Sequence, residues 1–198
     1  MLFFIFVFQC VGKSTTLKEL QKRGWVVDDF KVSRSVQNEL GWESLTRAEE
    51  NAVDMVALQE AILTHKHQHD EHLAKHSTVF LTERTFADIV AYASLWVWKL
   101  IDADKWVANE AMAWHREYIK KCREAQLIYS GVILLPYMDH MPWENDPYRA
   151  KKSDISRVYE DVESFANQFA IPKLIIDTQT VDARVVQIEN FLNKTIGI

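Results

Sequence analysis

Gly12-Lys13-Ser14-Thr15 is the run whose residue types and spacing carry the most chemistry in this chain. An apolar stretch, residues 3–8, leads into it, and the helix-favouring Leu17-Lys18-Glu19-Leu20 leads away. Backbone N–H groups at a helix N-terminus point at an anion, a neighbouring lysine follows the outer phosphates, and a serine hydroxyl ligates Mg²⁺. The segment therefore implies a nucleoside triphosphate site, with Val11, Gly12, Lys13, Ser14 and Thr15 around the phosphates and Ser14 on the metal. The full pattern G-x-x-x-x-G-K-[ST] wants glycine five residues before Gly12, and this chain has Val7 there, followed by Phe8. A β-branched residue resists the positive φ of a tight phosphate turn, so a nucleotide-binding protein or ATPase with a degenerate loop is a rival reading.

Two further groups of residues fit the same chemistry. The apolar residues 78–82 run into Glu83-Arg84-Thr85, which sets a carboxylate for Mg²⁺ and a guanidinium for phosphoryl oxygens at the end of a strand. Trp25-Val26-Val27 runs into Asp28 and Asp29, each a candidate general base or anchor for a substrate hydroxyl, with capping of the next helix as the structural alternative. Arg34, about one turn into that helix, is a candidate phosphate or substrate clamp. Tyr92, about two turns past Glu83, is the aromatic best placed to stack a base, while most of the other rings read as core.

Positioning these groups takes strands that alternate with helices. Helical segments are expected at about 13–23, 31–40, 46–76, 86–100, 103–126, 154–169 and 181–192, and strands at 3–8, 25–28, 78–82, 127–135 and 173–176. That alternation implies an α/β domain with a parallel sheet and right-handed crossovers, whose ligands gather at the carboxyl ends of the strands. Residues 137–152 lack any period, and Arg149, Lys151 and Lys152 precede a helix carrying Arg157, the makeup of a basic lid over phosphates. The long helix at 46–76 carries five of the seven histidines, and His65, His69, His72 and His76 share a face where a metal site is geometrically feasible. Lys66, Asp70, Glu71 and Lys75 lie among them, so that face reads as wet surface.

The 198 residues show no break in composition and no repeat, which favours one domain over 1–198 that buries about 70% of its unfolded surface. The two cysteines, Cys10 and Cys122, are too few for a disulfide framework and suit a reducing, cytoplasmic setting. No stretch is long and apolar enough for a membrane span, and residues 2–8 lack the basic start of a signal peptide. A net charge of −5 weighs against broad nucleic-acid binding. The tryptophans of the middle helices would suit a homodimer face.

Taken together, Gly12-Lys13-Ser14-Thr15, Asp28-Asp29, the segment Thr82-Glu83-Arg84-Thr85-Phe86-Ala87-Asp88-Ile89-Val90-Ala91-Tyr92, Arg149 and Ile175-Ile176-Asp177 resemble the small P-loop kinases of nucleosides and nucleoside monophosphates. These include thymidylate-kinase-like, deoxynucleoside-kinase-like and NadR-like AAA-domain proteins, and the similarity spans nearly the whole chain. The resemblance implies a three-layer fold with a five-stranded parallel sheet in the order 2-3-1-4-5, and a lid at about 137–155. It implies ATP and Mg²⁺, with Ser14 and Glu83 serving the metal and Lys13 and Arg149 the phosphates. Arg84 would contact the acceptor or its phosphate, Asp29 would take the acceptor's proton, and Asp28, Arg34 and Tyr92 would hold the substrate. A nucleoside or (deoxy)nucleoside monophosphate is the implied acceptor, in the host cytoplasm if the protein is bacteriophage-encoded. A modified base within duplex DNA is the less favoured alternative.

Overall fold

A computed structural model describes residues 2–6, 12–43, 46–76, 78–135, 152–168, 171–178 and 180–197. Among them the strands are β1 (Leu2–Phe6), β2 (Val26–Asp28), β3 (Phe80–Glu83), β4 (Gly131–Leu134) and β5 (Lys173–Ile175). The helices are α1 (Lys13–Lys22), α2 (Val32–Glu39), α3 (Thr46–Glu50), α4 (Ala52–Ala74), α5 (Phe86–Asp102), α6 (Ala108–Ala125), α7 (Ile155–Asn167) and α8 (Val181–Ile196). Every strand pairing is parallel, and the strands lie in the order β2-β3-β1-β4-β5. The apolar run at residues 2–6 thus holds the centre of the sheet.

Successive side chains of a strand point to opposite faces. In β3, Thr82 reaches Lys66 on α4 while Glu83 reaches Lys13 on α1, so the two helices lie on opposite sides of the sheet. The core continues from the sheet into α5, whose residues from Phe86 to Ala91 are all buried, and closes against α6, α7 and α8 through Tyr118, Val158 and Ile188.

Several expectations are refined. The helical period at 46–76 conceals a break: Asn51 takes an extended conformation and its side-chain oxygen accepts from the Asp54 amide, capping α4 and ending α3. Residues 127–128 belong to a 3-10 turn (Gln126–Ile128) that closes α6, and only the segment from Gly131 joins the sheet. The histidine-bearing helix is not wet all round, because Lys66 and Asp70 are fully buried against the sheet. None of the described tryptophans is exposed: Trp96 lies in the core, and Trp114 stacks between Tyr118 and Trp106. Most of the described rings thus pack against the core, as expected of them.

Candidate active site

Glu83 ends β3 opposite Ile5 of β1, beside the strand that feeds the Gly12 loop. Its Oε2 lies 2.9 Å from Lys13 Nζ and 3.6 Å from Lys31 Nζ. Burial by itself would raise the Glu83 carboxyl, yet the Lys13 ammonium, then Lys31 and Arg84, hold it below the ordinary carboxylate range. Burial also dominates at Lys13, whose ammonium titrates below its ordinary value despite the support of Glu83. Burial and the neighbouring Arg84 charge outweigh Glu83 there, and a bound polyanion would add negative charge that favours the ammonium.

The helix that carries Lys13 is open to such a ligand. Gly12, at φ 77°, is its N-cap in the left-handed conformation that glycine adopts without strain. Among the described residues no side chain caps this end, and no acidic residue occupies its first turn. Thr16 closes the turn through its amide and hydroxyl on the Gly12 carbonyl, at 3.0 and 3.1 Å, while Ser14 and Thr15 face solvent. Amide donors at a helix start with no internal acceptor favour an anion.

Arg84 follows with φ 61°, a left-handed conformation that costs a non-glycine residue about 1–2 kcal/mol. Its guanidinium lies over the Tyr92 ring at 5.5 Å to the centroid, and its Nη1 donates to Ser33 Oγ at 3.2 Å. Directly after it, Thr85 and Asp88 form a capping box at the start of α5: Thr85 Oγ1 accepts from the amides of Ala87 and Asp88, and Asp88 Oδ2 accepts from the Thr85 amide at 2.7 Å. Burial raises the Asp88 carboxyl against the pull of the Thr85 hydrogen bonds.

On the α4 side, Asp28 is engaged at both oxygens. His69 Nε2 is 3.0 Å from Oδ1, and Thr82 Oγ1 donates to Oδ2 at 3.0 Å. Thr82 in turn accepts from Lys66 Nζ at 2.9 Å, which also donates to Asp70 Oδ1 at 2.8 Å, and the Tyr129 hydroxyl donates to Asp70 Oδ2 at 2.6 Å. Asp29 is exposed.

Of the residues singled out from sequence, Lys13 meets Glu83, Arg84 meets Tyr92, and Asp28 sits at the edge of the same strand ends, opposite Thr82. Tyr92 serves as the platform of Arg84, a partner that the base-stacking expectation did not include. Arg34 is exposed on the first turn of α2 beside Ser33, and Arg157 lies over the Trp98 ring at 5.6 Å. Val7, Phe8, Val11, Arg149 and residues 137–151 lie outside the described residues. Lys31, Ser33, Lys66, His69 and Asp88 were not assigned from sequence; the opposite charges of Lys66 and Asp70 at i,i+4 were the legible trace of the buried pair. The other histidines disperse, His65 to Glu39 and His72 against His76, and among the described residues no three His, Cys, Asp or Glu converge on a metal position.

A family model described as AAA domain matches residues 9–184. The chain belongs to the AAA domain family. The fold of this AAA domain matches that of a structure described as deoxyadenosine kinase from M. mycoides with the products dCMP and a flexible dCDP bound. That match has a TM-score of 0.69 and 17% identity, and covers 98% of this chain and 100% of the other. Shikimate kinase from Aquifex aeolicus matches with a TM-score of 0.48 and 13% identity over 100% of both chains. No curated protein matches the sequence. Among the described residues, no helix is long and apolar enough to cross a membrane.

Proposed function

We propose that this AAA domain transfers the γ-phosphoryl group of ATP to a nucleoside or a (deoxy)nucleoside monophosphate. The observation that carries the reading is the contact of the half-buried Lys13 with Glu83 at 2.9 Å, at the start of α1 where no described side chain caps the helix. It is supported by the P-loop kinase fold and by the described products of the M. mycoides protein.

The chain's own groups divide the work. The amides from Gly12 to Thr15 bind the outer phosphates, joined on sequence grounds by Val11, and Lys13 exchanges Glu83 for phosphate oxygens. Phosphoryl transfer is mostly positioning and charge stabilisation, so Arg84, held over Tyr92, neutralises charge on the transferring group, with Arg34 and, from sequence alone, Arg149 in the same role. The exposed Asp29 anchors the acceptor's hydroxyls beside Asp28.

Mg²⁺ fits the residues present. Glu83 is a largely buried carboxylate kept ionised by two ammonium groups, a hard oxygen donor at the end of β3, and Ser14 offers an exposed hydroxyl at the start of α1. When bound, Mg²⁺ spreads the negative charge of the outer phosphates.

Incubation with labelled ATP and a panel of nucleosides, nucleotides and modified duplex DNA tests the reading. Label on a small acceptor supports it; label on DNA, with steep salt dependence, moves the activity to the polymer. Val7 favours the rival in which nucleotide binds without transfer, and calorimetry showing Mg-ATP binding with no labelled acceptor would establish that rival.

A further inference from the structure

Asp28 has a donor on each oxygen, and the direction of those bonds is set from below. Lys66 is fully buried and can only donate, so Thr82 Oγ1 accepts from it and passes its own proton to Asp28 Oδ2. Asp28 is thereby fixed as a carboxylate acceptor, and its other oxygen draws the proton of His69 onto Nε2. A ring whose Nε2–H is fixed by a carboxylate presents Nδ1 as its free lone pair. Among the described residues nothing hydrogen-bonds Nδ1. Phe30 holds the ring in place, with centroids 4.2 Å apart, and the side chain keeps 28% of its exposure. The ring lies at the carboxyl end of β2, where acceptor-binding groups are expected in open α/β sheets.

We propose that Asp28 and His69 form a carboxylate–imidazole dyad, in which His69 takes the proton of an alcohol acceptor. This rests on the phosphotransferase reading and narrows it, because a phosphate acceptor needs no base and a hydroxyl does. As the acceptor oxygen bonds to the γ-phosphorus, its O–H bond breaks toward His69 Nδ1, and the bond from phosphorus to the bridging oxygen breaks with its electron pair leaving on ADP. The imidazolium is stabilised by Asp28 and returns its proton to water. Asp28, Thr82 and Lys66 are positioning residues; Asp29 is left with the acceptor's other hydroxyls.

Long-range ¹H–¹⁵N spectra of the labelled protein at about pH 8, where imidazoles are neutral, read the tautomer directly. Nε2–H at His69, lost to a tautomer mixture in Asp28→Ala, is expected; Nδ1–H in the wild type overturns the dyad without any variant. In the transfer assay, His69→Gln is expected to lower kcat by about 10²–10³-fold with KM within about threefold, and Asp29→Asn to raise KM more than it lowers kcat. Retention of kcat within tenfold in His69→Gln, a kcat loss carried by Asp29→Asn, or label found in a nucleoside diphosphate made from a monophosphate acceptor overturns the proposal while the kinase reading stands. A wild type that labels no acceptor overturns both, and the tautomer spectrum then reports only whether the pair exists.

Discussion

Lys13 Nζ and Glu83 Oε2 are 2.9 Å apart, so the cation that would follow outer phosphates and the carboxylate that would serve a metal satisfy each other in the free protein. Triphosphate and metal are therefore expected to favour each other's binding: metal alone on Glu83 would take the carboxylate from Lys13, and triphosphate alone on Lys13 would leave Glu83 with only the longer contact to Lys31. Calorimetry of ATP binding is expected to show at least a tenfold gain, about 1.4 kcal/mol, from Mg²⁺ in the wild type. In Glu83→Gln metal-free ATP should bind as well or better, and the Mg²⁺ gain should vanish. An unchanged Mg²⁺ gain would remove Glu83 from the metal site.

The same pair gives a pH signature. Glu83 titrates below its ordinary value of 4.5 in the folded protein, so its contribution to stability is complete above that value and disappears as the pH falls through the folded one. Asp70 and Asp88, raised by burial, act in the opposite direction, giving stability at low pH that is lost as the pH rises through their folded values. Comparing wild type with Glu83→Gln cancels those two. The stability advantage of the wild type, measured by urea unfolding, is expected to shrink below about pH 4.5. An advantage independent of pH between 3 and 7 (roughly the range over which carboxylates titrate) would mean that Glu83 makes no net ionic contribution.

What was legible in the sequence is what depends on local pattern. The apolar run before Gly12-Lys13 reads as a strand, and the helix after it follows from its residues, because phosphate-loop chemistry fixes three consecutive elements at once. The helical period at 46–76 could not disclose the break at Asn51, since Ala48 before it and Ala52 after it keep the i,i+4 spacing. Nor could it disclose that Lys66 and Asp70 turn inward. Charge on a helix ordinarily marks the wet face, whereas tertiary partners such as Thr82 and Tyr129, 16 and 59 residues away, make the interior tolerable for them. His69 was hidden by the same inference, because its role depends on Asp28, 41 residues earlier.

That inward pair should behave as a unit. Removing Lys66 leaves Asp70 and Thr82 short of a donor in a dry interior, so Lys66→Met is expected to cost about 3–5 kcal/mol, or roughly 6–20 °C in Tm. Replacing both members, as Lys66→Met with Asp70→Leu, should recover about half or more of the loss, since the desolvation of two charges goes with them. Additive losses in this double-mutant cycle, read by thermal unfolding, would show that the two side chains do not interact.

Arg84 sets stability against function within one residue. Its φ of 61° is held by the Thr85–Asp88 capping box directly after it and by the hydrogen bond to Ser33, while the guanidinium rests on Tyr92. Glycine adopts that φ freely, so Arg84→Gly relieves about 1–2 kcal/mol of strain and offsets the lost contacts, whereas Arg84→Ala keeps the strain and loses them. Thermal unfolding is expected to place the glycine variant above the alanine variant, with both well folded. Both should lose about 3–4 kcal/mol of transition-state stabilisation, a kcat decrease of about 10²–10³-fold, if the guanidinium meets the transferring phosphoryl group. Asp88→Ala separates the support from the group it supports. It removes the acceptor of the Thr85 amide, at about 1–3 kcal/mol, while Thr85 still caps α5 and the guanidinium is kept, and it should lower kcat only as far as Arg84 loses its fixed place. A kcat within tenfold of wild type in both Arg84 variants would make the strained residue a structural corner, and the charge stabilisation would then fall to Lys13 and Lys31.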